Sequence, residues 1–131
     1  MTNRSQTVLC DTDFLIALHL ENDSTHLRAK EIFSNYSYFV VLDITFWEIA
    51  TVLSRKLNQD QAILTLEFIQ KNFSNVIKFQ PAHEVQVFQL YKSYSKKNIS
   101  FFDCACLVYA TQNNYQIASF DQFYPKDTLC Q

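Results

Sequence analysis

Short apolar runs typical of β-strands alternate with longer helix-like segments along the chain. The strand-like runs are 7–10 (TVLC), 38–42 (YFVVL), 76–79 (VIKF) and 116–120 (QIASF). Helices are predicted over about 13–20, 23–36, 43–57, 59–73, 81–97 and 101–113. Strands separated by helices pair in parallel and are covered on both faces. The sequence therefore predicts an α/β fold of three layers, α/β/α, around a central and mostly parallel sheet.

Length and composition narrow the class of protein further. The 131 residues are 48% hydrophobic, which predicts a single domain over residues 1–131 with an ample core. Glycine is absent, which excludes the Gly-rich phosphate loops and the dinucleotide fingerprint. The net charge of −2 excludes a strongly basic coat over the whole surface, although a local basic patch remains open.

The cysteines and the apolar runs indicate the compartment. The chain has four cysteines and no CxxC pair, and Cys104 and Cys106 point apart on a helix. We therefore expect four reduced thiols, mostly in the core, and a cytoplasmic protein. No run approaches the roughly 20 apolar residues of a membrane span, and the N-terminus lacks the apolar stretch of a signal peptide.

Four acids are placed where parallel strands end or where the following helices begin. Asp11 and Asp121 directly follow strand-like runs, and Glu48 and Asp103 lie in the first two turns of predicted helices. The carboxyl ends of parallel strands share one edge of the sheet, so these acids could meet there. Clustered carboxylates repel one another, and the usual compensation is a hard divalent cation such as Mg²⁺ or Mn²⁺.

Each acid also has a purely structural interpretation. Asp103 could close a capping box with Ser100, since SFFD fits the S-x-x-D/E pattern. Glu48 could form a half-exposed ion pair with Arg55, and Asp11 and Asp121 could be turn or N-cap residues. A further acid, Asp13, is favoured as the N-cap of the first helix over a ligand role.

Taken together, these motifs resemble those of the PIN domain family of metal-dependent ribonucleases, which includes the VapC toxins. The matching stretches are VLCDTDFLIAL, WEIATVLSRK, ISFFDCACLVYA and IASFDQFY, and they carry the family's acids onto Asp11, Glu48, Asp103 and Asp121. Thr12 and Ser119 stand where the family often has supporting hydroxyl groups. The departures are Asp13, where many members have Asn or Ser, and Gln122 and Phe123, where some members place a further acid.

The resemblance implies a chemistry and a set of partners. The four acids would be catalytic and would bind one or two Mg²⁺ or Mn²⁺ ions, which activate a water for attack on an RNA phosphodiester. Family members usually form homodimers and are neutralised by an antitoxin protein. Surface aromatic residues could supply an interface, although a core position is as plausible for each: Phe14, Phe33, Tyr36 and Tyr38. RNA phosphates could be bound by Arg28, Lys30, Arg55, Lys56, Lys92, Lys96 or Lys97.

Two other functions stay open. The first is a catalytically silent PIN-like module used for binding. The second is a phosphatase that uses the DxD of LCDTDF, with Asp11 as nucleophile. Phe14 follows the second acid, where that class prefers Thr or Val, and the chain has no late pair of adjacent acids.

Overall fold

The computed structural model of the chain describes residues 6–73, 75–94 and 98–130. The strands are β1 (Thr7–Cys10), β2 (Tyr38–Leu42), β3 (Val76–Ile77) and β4 (Gln116–Ala118). The helices are α1 (Thr12–His19), α2 (His26–Asn35), α3 (Asp43–Lys56), α4 (Gln59–Asn72), α5 (Glu84–Ser93) and α6 (Phe101–Asn113). Short 3₁₀ turns cover Pro81–His83 and Lys126–Thr128. The predicted alternation of strand and helix is confirmed.

The four strands form one sheet in the order β3-β2-β1-β4, and every pairing between neighbours is parallel. Register aligns Leu9 of β1 with Val40 of β2 on one side and with Ile117 of β4 on the other. The predicted three-layer α/β/α architecture is therefore confirmed.

Alternate side chains of the strands enter two separate layers of the core, as the two-residue period of a strand requires. Val8, Cys10 and Ala118 pack in a cluster with α1, α2, α3 and α4. Leu9 and Ile117 point to the opposite face and pack against α5 and α6. All four cysteines are buried and free, as the sequence predicted.

The starts of α1 and α2 differ from the predictions, and α3 begins at Asp43 as predicted. Asp11, not Asp13, is the N-cap of α1, because its own carboxylate accepts the amide of Thr12. Thr25 is the N-cap of α2, while Asp23 accepts hydrogen bonds from the amide and hydroxyl of Thr25. The first residue of α3 is Asp43, and its carboxylate accepts the amide of Phe79 at 3.0 Å instead of capping the helix.

The end of α6 shows how a chain without glycine turns its backbone. Asn114 is the C-cap residue and adopts the left-handed conformation, with φ 56° and ψ 40°. Helices often end in this conformation, usually at glycine and sometimes at asparagine, which tolerates it best among the other residues. The turn brings β4 back beside β1.

The four aromatic residues offered for an interface divide between core and surface. Phe14 and Tyr36 are buried, so the interface expectation is wrong for these two. Phe33 is half-buried and stacks with Phe39, while the exposed member is Tyr38. In the described ranges, no helix combines the length and the hydropathy needed to cross a bilayer.

The central strand carries a matched test of this core. We expect Leu9→Ala, at a fully buried site between β2 and β4, to lower the free energy of unfolding by about 2–5 kcal/mol. Leu27→Ala, at a leucine with 78% exposure on α2, should change it by less than about 0.5 kcal/mol. Urea unfolding followed by circular dichroism measures both, and equal effects would contradict the core assignment.

Candidate metal centre

A cavity of about 370 Å³ opens at the carboxyl ends of β1 and β4. Its walls are the start of α1, the inner face of α3, the start of α6 and the loop after β4. Acids dominate the lining, together with a few hydroxyl, apolar and basic side chains. The acids are Asp11, Asp13, Asp23, Glu48, Asp103 and Asp121.

Three of the four predicted site acids converge in this cavity. One carboxylate oxygen each from Asp11, Glu48 and Asp103 lies within 4.8 Å of the other two. Asp121 lines the same cavity but is outside this group. The triad joins elements far apart in sequence, because β1, α3 and α6 all present one end to the same edge of the sheet.

Asp11 is the buried member of the triad, with 3% of its surface exposed. Its Oδ1 accepts the amide of Thr12 at 2.8 Å, and its Oδ2 accepts the hydroxyl of Tyr124 at 2.9 Å. Ser119 Oγ lies 3.2 Å from the same Oδ2, and the thiol of Cys106 lies 3.9 Å from Oδ1. The hydrogen bonds from Thr12 and Tyr124 favour the ionised form of this carboxyl group, although burial disfavours it more strongly.

Glu48 faces the cavity from the second turn of α3 and accepts a hydrogen bond from the hydroxyl of Thr12. The contact places the Thr12 hydroxyl beside Glu48, and its supporting role stays a prediction. The alternative ion pair with Arg55 is absent, and the ion pair found among the described residues joins Arg28 to Glu31. Glu48 is therefore oriented toward Asp11 and Asp103 by a neutral donor.

Asp103 has the capping role that the sequence left open, and its ligand role stays a prediction. Ser100 Oγ accepts the amide of Asp103 at 3.0 Å, and Asp103 Oδ2 accepts the amide of Ser100 at 3.3 Å, which is a complete capping box. The box uses one carboxylate oxygen and leaves Oδ1 outside it. The cap therefore fixes a side chain that also lines the cavity.

Asp13 ties α1 to the loop after β4. Its carboxylate accepts the amide of Phe120 at 3.1 Å and lies 3.1 Å and 3.3 Å from Ser119 Oγ. Ser119 Oγ in turn accepts the amide of Asp121 at 3.0 Å, and Asp121 Oδ1 accepts the amide of Phe123. Asp13 and Ser119 thus hold the loop that carries Asp121 into the cavity wall.

The acids raise one another's pKa values. Burial, followed by the charges of Asp103 and Asp13, raises the pKa of Asp11 well above its ordinary value. Burial also raises the pKa of Glu48 and of Asp103, although hydrogen bonds from Thr12 and Ser100 oppose the shift. Burial raises the pKa of Asp13 to about 6. Oxygen donors that repel one another in this way suit a hard divalent cation such as Mg²⁺ or Mn²⁺.

Comparison with known proteins identifies the family. The family model described as the PIN domain matches residues 8–125. The chain belongs to the PIN domain family. A comparison with curated protein sequences gives no match.

Solved structures of other PIN-like chains share the fold. Mycobacterium tuberculosis VapC20, a toxin that cleaves the sarcin-ricin loop, is 19% identical with a TM-score of 0.78, over 88% of this chain and 91% of that one. VapBC2 from Rickettsia felis, solved bound to a DNA fragment from its promoter, is 14% identical with a TM-score of 0.62, over 88% of each chain. FitAcB from Neisseria gonorrhoeae is 17% identical with a TM-score of 0.57, over 87% of each chain.

The PIN domain contains a site residue that the sequence reasoning missed. Tyr124 is 2% exposed, and its hydroxyl donates a hydrogen bond to Asp11. Burial raises the pKa of this phenol well above its ordinary value. The charges of Cys106, Asp11 and Asp103 add to this shift. Neither Tyr124 nor Cys106 carries a sequence signal, because each meets Asp11 across about a hundred residues of chain.

The basic residues proposed for RNA contact lie at different distances from the PIN domain's cavity. Lys56, at the end of α3, lines it. Arg28 and Lys30 are exposed on α2, Arg55 is exposed on α3, and none of the three lines the cavity. The exposed Lys92 lies over the ring of Phe88, and Lys96 and Lys97 fall outside the described residues.

Burial of the acids, together with their mutual repulsion, predicts an unusual dependence of stability on pH. Since the folded-state pKa of Asp13 is about 6 and the unfolded value is about 4, the folded protein binds more protons between those pH values. Stability therefore falls as pH rises through this window, and the raised pKa values of Asp11, Glu48 and Asp103 act in the same direction. We expect the melting temperature of the metal-free protein to drop by about 2–5 °C between pH 5 and pH 7.5.

Two variants test whether the pH dependence of the melting temperature comes from the acid cluster or from ordinary surface acids. Asp13→Asn should reduce this pH dependence, because it removes one of the acids whose pKa is raised. Glu67→Gln, which removes an exposed charge on α4, should leave the dependence as in the wild type. Differential scanning calorimetry in EDTA measures all three proteins, and a melting temperature that rises from pH 5 to pH 7.5 would contradict the prediction.

Proposed function

We propose that this PIN domain is a metal-dependent endoribonuclease that hydrolyses RNA phosphodiesters. The observation that carries the proposal is the convergence of Asp11, Glu48 and Asp103 within 4.8 Å in an open cavity. A bound Mg²⁺ or Mn²⁺ would supply an activated water and neutralise charge on the phosphodiester. The cavity opens to solvent, so a flexible single strand can bring its backbone to the acids.

In this proposal the side chains have distinct roles. Asp11, Glu48 and Asp103 bind the cation directly or through water, and Asp121 contributes charge from the cavity wall. Thr12 orients Glu48 through its hydroxyl, and Ser119 orients the loop that carries Asp121. The capping box holds Asp103 in place before any ligand binds, so the site is largely formed in the metal-free protein.

The geometry favours an enzyme over a silent binding module. A module without metal chemistry gains nothing from three facing carboxylates, because their burial and repulsion reduce the stability of the fold. A phosphatase that uses Asp11 and Asp13 is not favoured either. Asp13 is occupied by the amide of Phe120 and by Ser119, and the family is that of PIN domains.

We propose further that the chain is the toxin of a toxin–antitoxin pair and acts in the cytoplasm. The support is the likeness of its fold to VapC20 and to the VapBC2 and FitAcB structures. An antitoxin protein is the partner that this role requires. A homodimer is the assembly we expect, since VapC-like proteins usually form one.

Removing one ligand tests the reaction. We expect Asp103→Asn to weaken Mn²⁺ binding by more than the roughly 10–100-fold that loss of an outer hydrogen-bond partner costs. The metal supplies several kcal/mol of charge stabilisation, so cleavage of labelled RNA should fall at least about 100-fold. The metal-free variant should melt no lower than the wild type, because one repelling charge is gone and an amide oxygen can still accept the amide of Ser100.

Calorimetry with Mn²⁺, gel assays of RNA cleavage and thermal melts in EDTA give the three readings. Glu67→Gln, purified in the same way, controls for contaminating nucleases and should match the wild type in all of them. RNA cleavage that survives Asp103→Asn and EDTA would contradict the proposed function. A metal-free variant that melts lower and binds Mn²⁺ as the wild type does would leave Asp103 as a helix cap alone.

The position of Lys56 predicts its effect on substrate binding. We expect Lys56→Ala to raise KM for RNA while kcat changes little, because the ammonium group at the cavity wall attracts phosphates and does not touch the acids' ligand atoms. The slope of log KM against log salt concentration should decrease by about 0.7, the value for one phosphate contact to a single strand. Lys71→Ala, at an exposed lysine of α4, is the control and should change neither quantity.

A further inference from the structure

Four hydrogen-bond donors surround the Asp11 carboxylate, and they differ in distance and in whether another acceptor competes for their proton. Thr12 N at 2.8 Å and Tyr124 Oη at 2.9 Å are the short contacts, one to each oxygen. The thiol of Cys106, at 3.9 Å, is a weak donor. Ser119 Oγ is 3.2 Å away but has one proton and lies as close to both oxygens of Asp13.

Tyr124 is therefore the side chain that most firmly sets the orientation of Asp11. The Thr12 amide caps Oδ1, and without a second strong donor on Oδ2 the carboxylate could rotate about its terminal bond. The Tyr124 side chain also lies near Asp103 and lowers the pKa of that carboxyl group. One phenol thus contacts or neighbours two members of the triad.

The segment that carries Tyr124 is itself well fixed. The ring of Tyr124 packs edge-on against Phe123 at 5.0 Å and is buried in the core layer that includes Leu9 and Cys106. Beyond it, the amide of Cys130 donates to the carbonyl of Ile117 at 3.0 Å, so the chain end runs beside β4. Because the ring is packed in the core and the hydroxyl donates to Asp11, the hydroxyl has little freedom to leave that carboxylate.

We propose that Tyr124 is a positioning residue for the metal centre: its hydroxyl fixes Asp11 in the orientation in which the triad binds a divalent cation. The inference rests on the function proposed above and extends it to a residue outside the acid set. The phenol does not need to touch the cation or the RNA. Its effect passes through the carboxylate that it orients, as hydrogen-bond partners of metal ligands commonly act.

The chain offers a matched control in Tyr109 of α6. Tyr109 is 3% exposed, and its hydroxyl accepts the amide of Gln80 at 2.6 Å and contacts His83 Nδ1 at 2.8 Å. Tyr109→Phe therefore removes one buried phenol with its hydrogen bonds, as Tyr124→Phe does, but away from the acids. Any general loss of stability is common to both variants.

The experiment compares Mn²⁺ binding to the wild type, Tyr124→Phe and Tyr109→Phe by calorimetry at a temperature well below all three melting points. We expect Tyr124→Phe to weaken the affinity about tenfold, in the range found for outer partners of metal ligands, and Tyr109→Phe to stay within twofold of the wild type. The second measurement is the rise in melting temperature when Mn²⁺ is added. This rise should be smaller for Tyr124→Phe than for the wild type, and it should be the same for Tyr109→Phe as for the wild type. This second reading remains usable even if the variant is destabilised.

The outcomes separate this inference from the proposed function. Strong Mn²⁺ binding by the wild type and an affinity of Tyr124→Phe within twofold of it would overturn the positioning role and leave the nuclease proposal intact. Equal weakening by both phenylalanine variants would also overturn it, since the effect would then be general. Absence of Mn²⁺ binding by the wild type would overturn both proposals together.

Discussion

The arrangement of the whole site depends on the repulsion among carboxylates gathered at one end of a parallel sheet. Asp11 is buried, Glu48 and Asp103 are half-buried, and their oxygens approach one another closely. Neutral donors, among them Thr12, Tyr124 and Ser100, hold the side chains of this cluster in place. The surrounding layers supply the rigidity, since β1 lies at the centre of the sheet and α3 and α6 pack on opposite faces.

Asp103 shows that a capping role can leave one carboxylate oxygen available to the cavity. A capping box needs an acid or amide side chain at the third position of the helix, close to the N-terminal amides. The box consumes one oxygen and orients the other. A sequence pattern that fits a cap is therefore weak evidence against a site when the helix begins at the carboxyl edge of a sheet.

The sequence was sufficient for the layer order and for the three acids of the triad, because both follow from periodicity and from where parallel strands end. It was not sufficient for Asp13, which was expected to cap α1. Asp11 is the N-cap because the helix begins at Thr12, almost directly after the strand. The carboxylate of Asp13 accepts the amide of Phe120 instead. Tyr124 was missed for a related reason, since a buried tyrosine in QFYPKD looks like any core aromatic until its partner 113 residues away is known.

The triad takes one residue each from the beginning, the middle and the last third of the chain, and this has a consequence for the protein's lifetime. A cation that joins β1, α3 and α6 stabilises only the folded chain, so its binding energy adds to the free energy of unfolding. Proteases act on the unfolded fraction, which the ion reduces. The free divalent-ion concentration of the cell would then set how long each molecule survives as well as whether its site is filled.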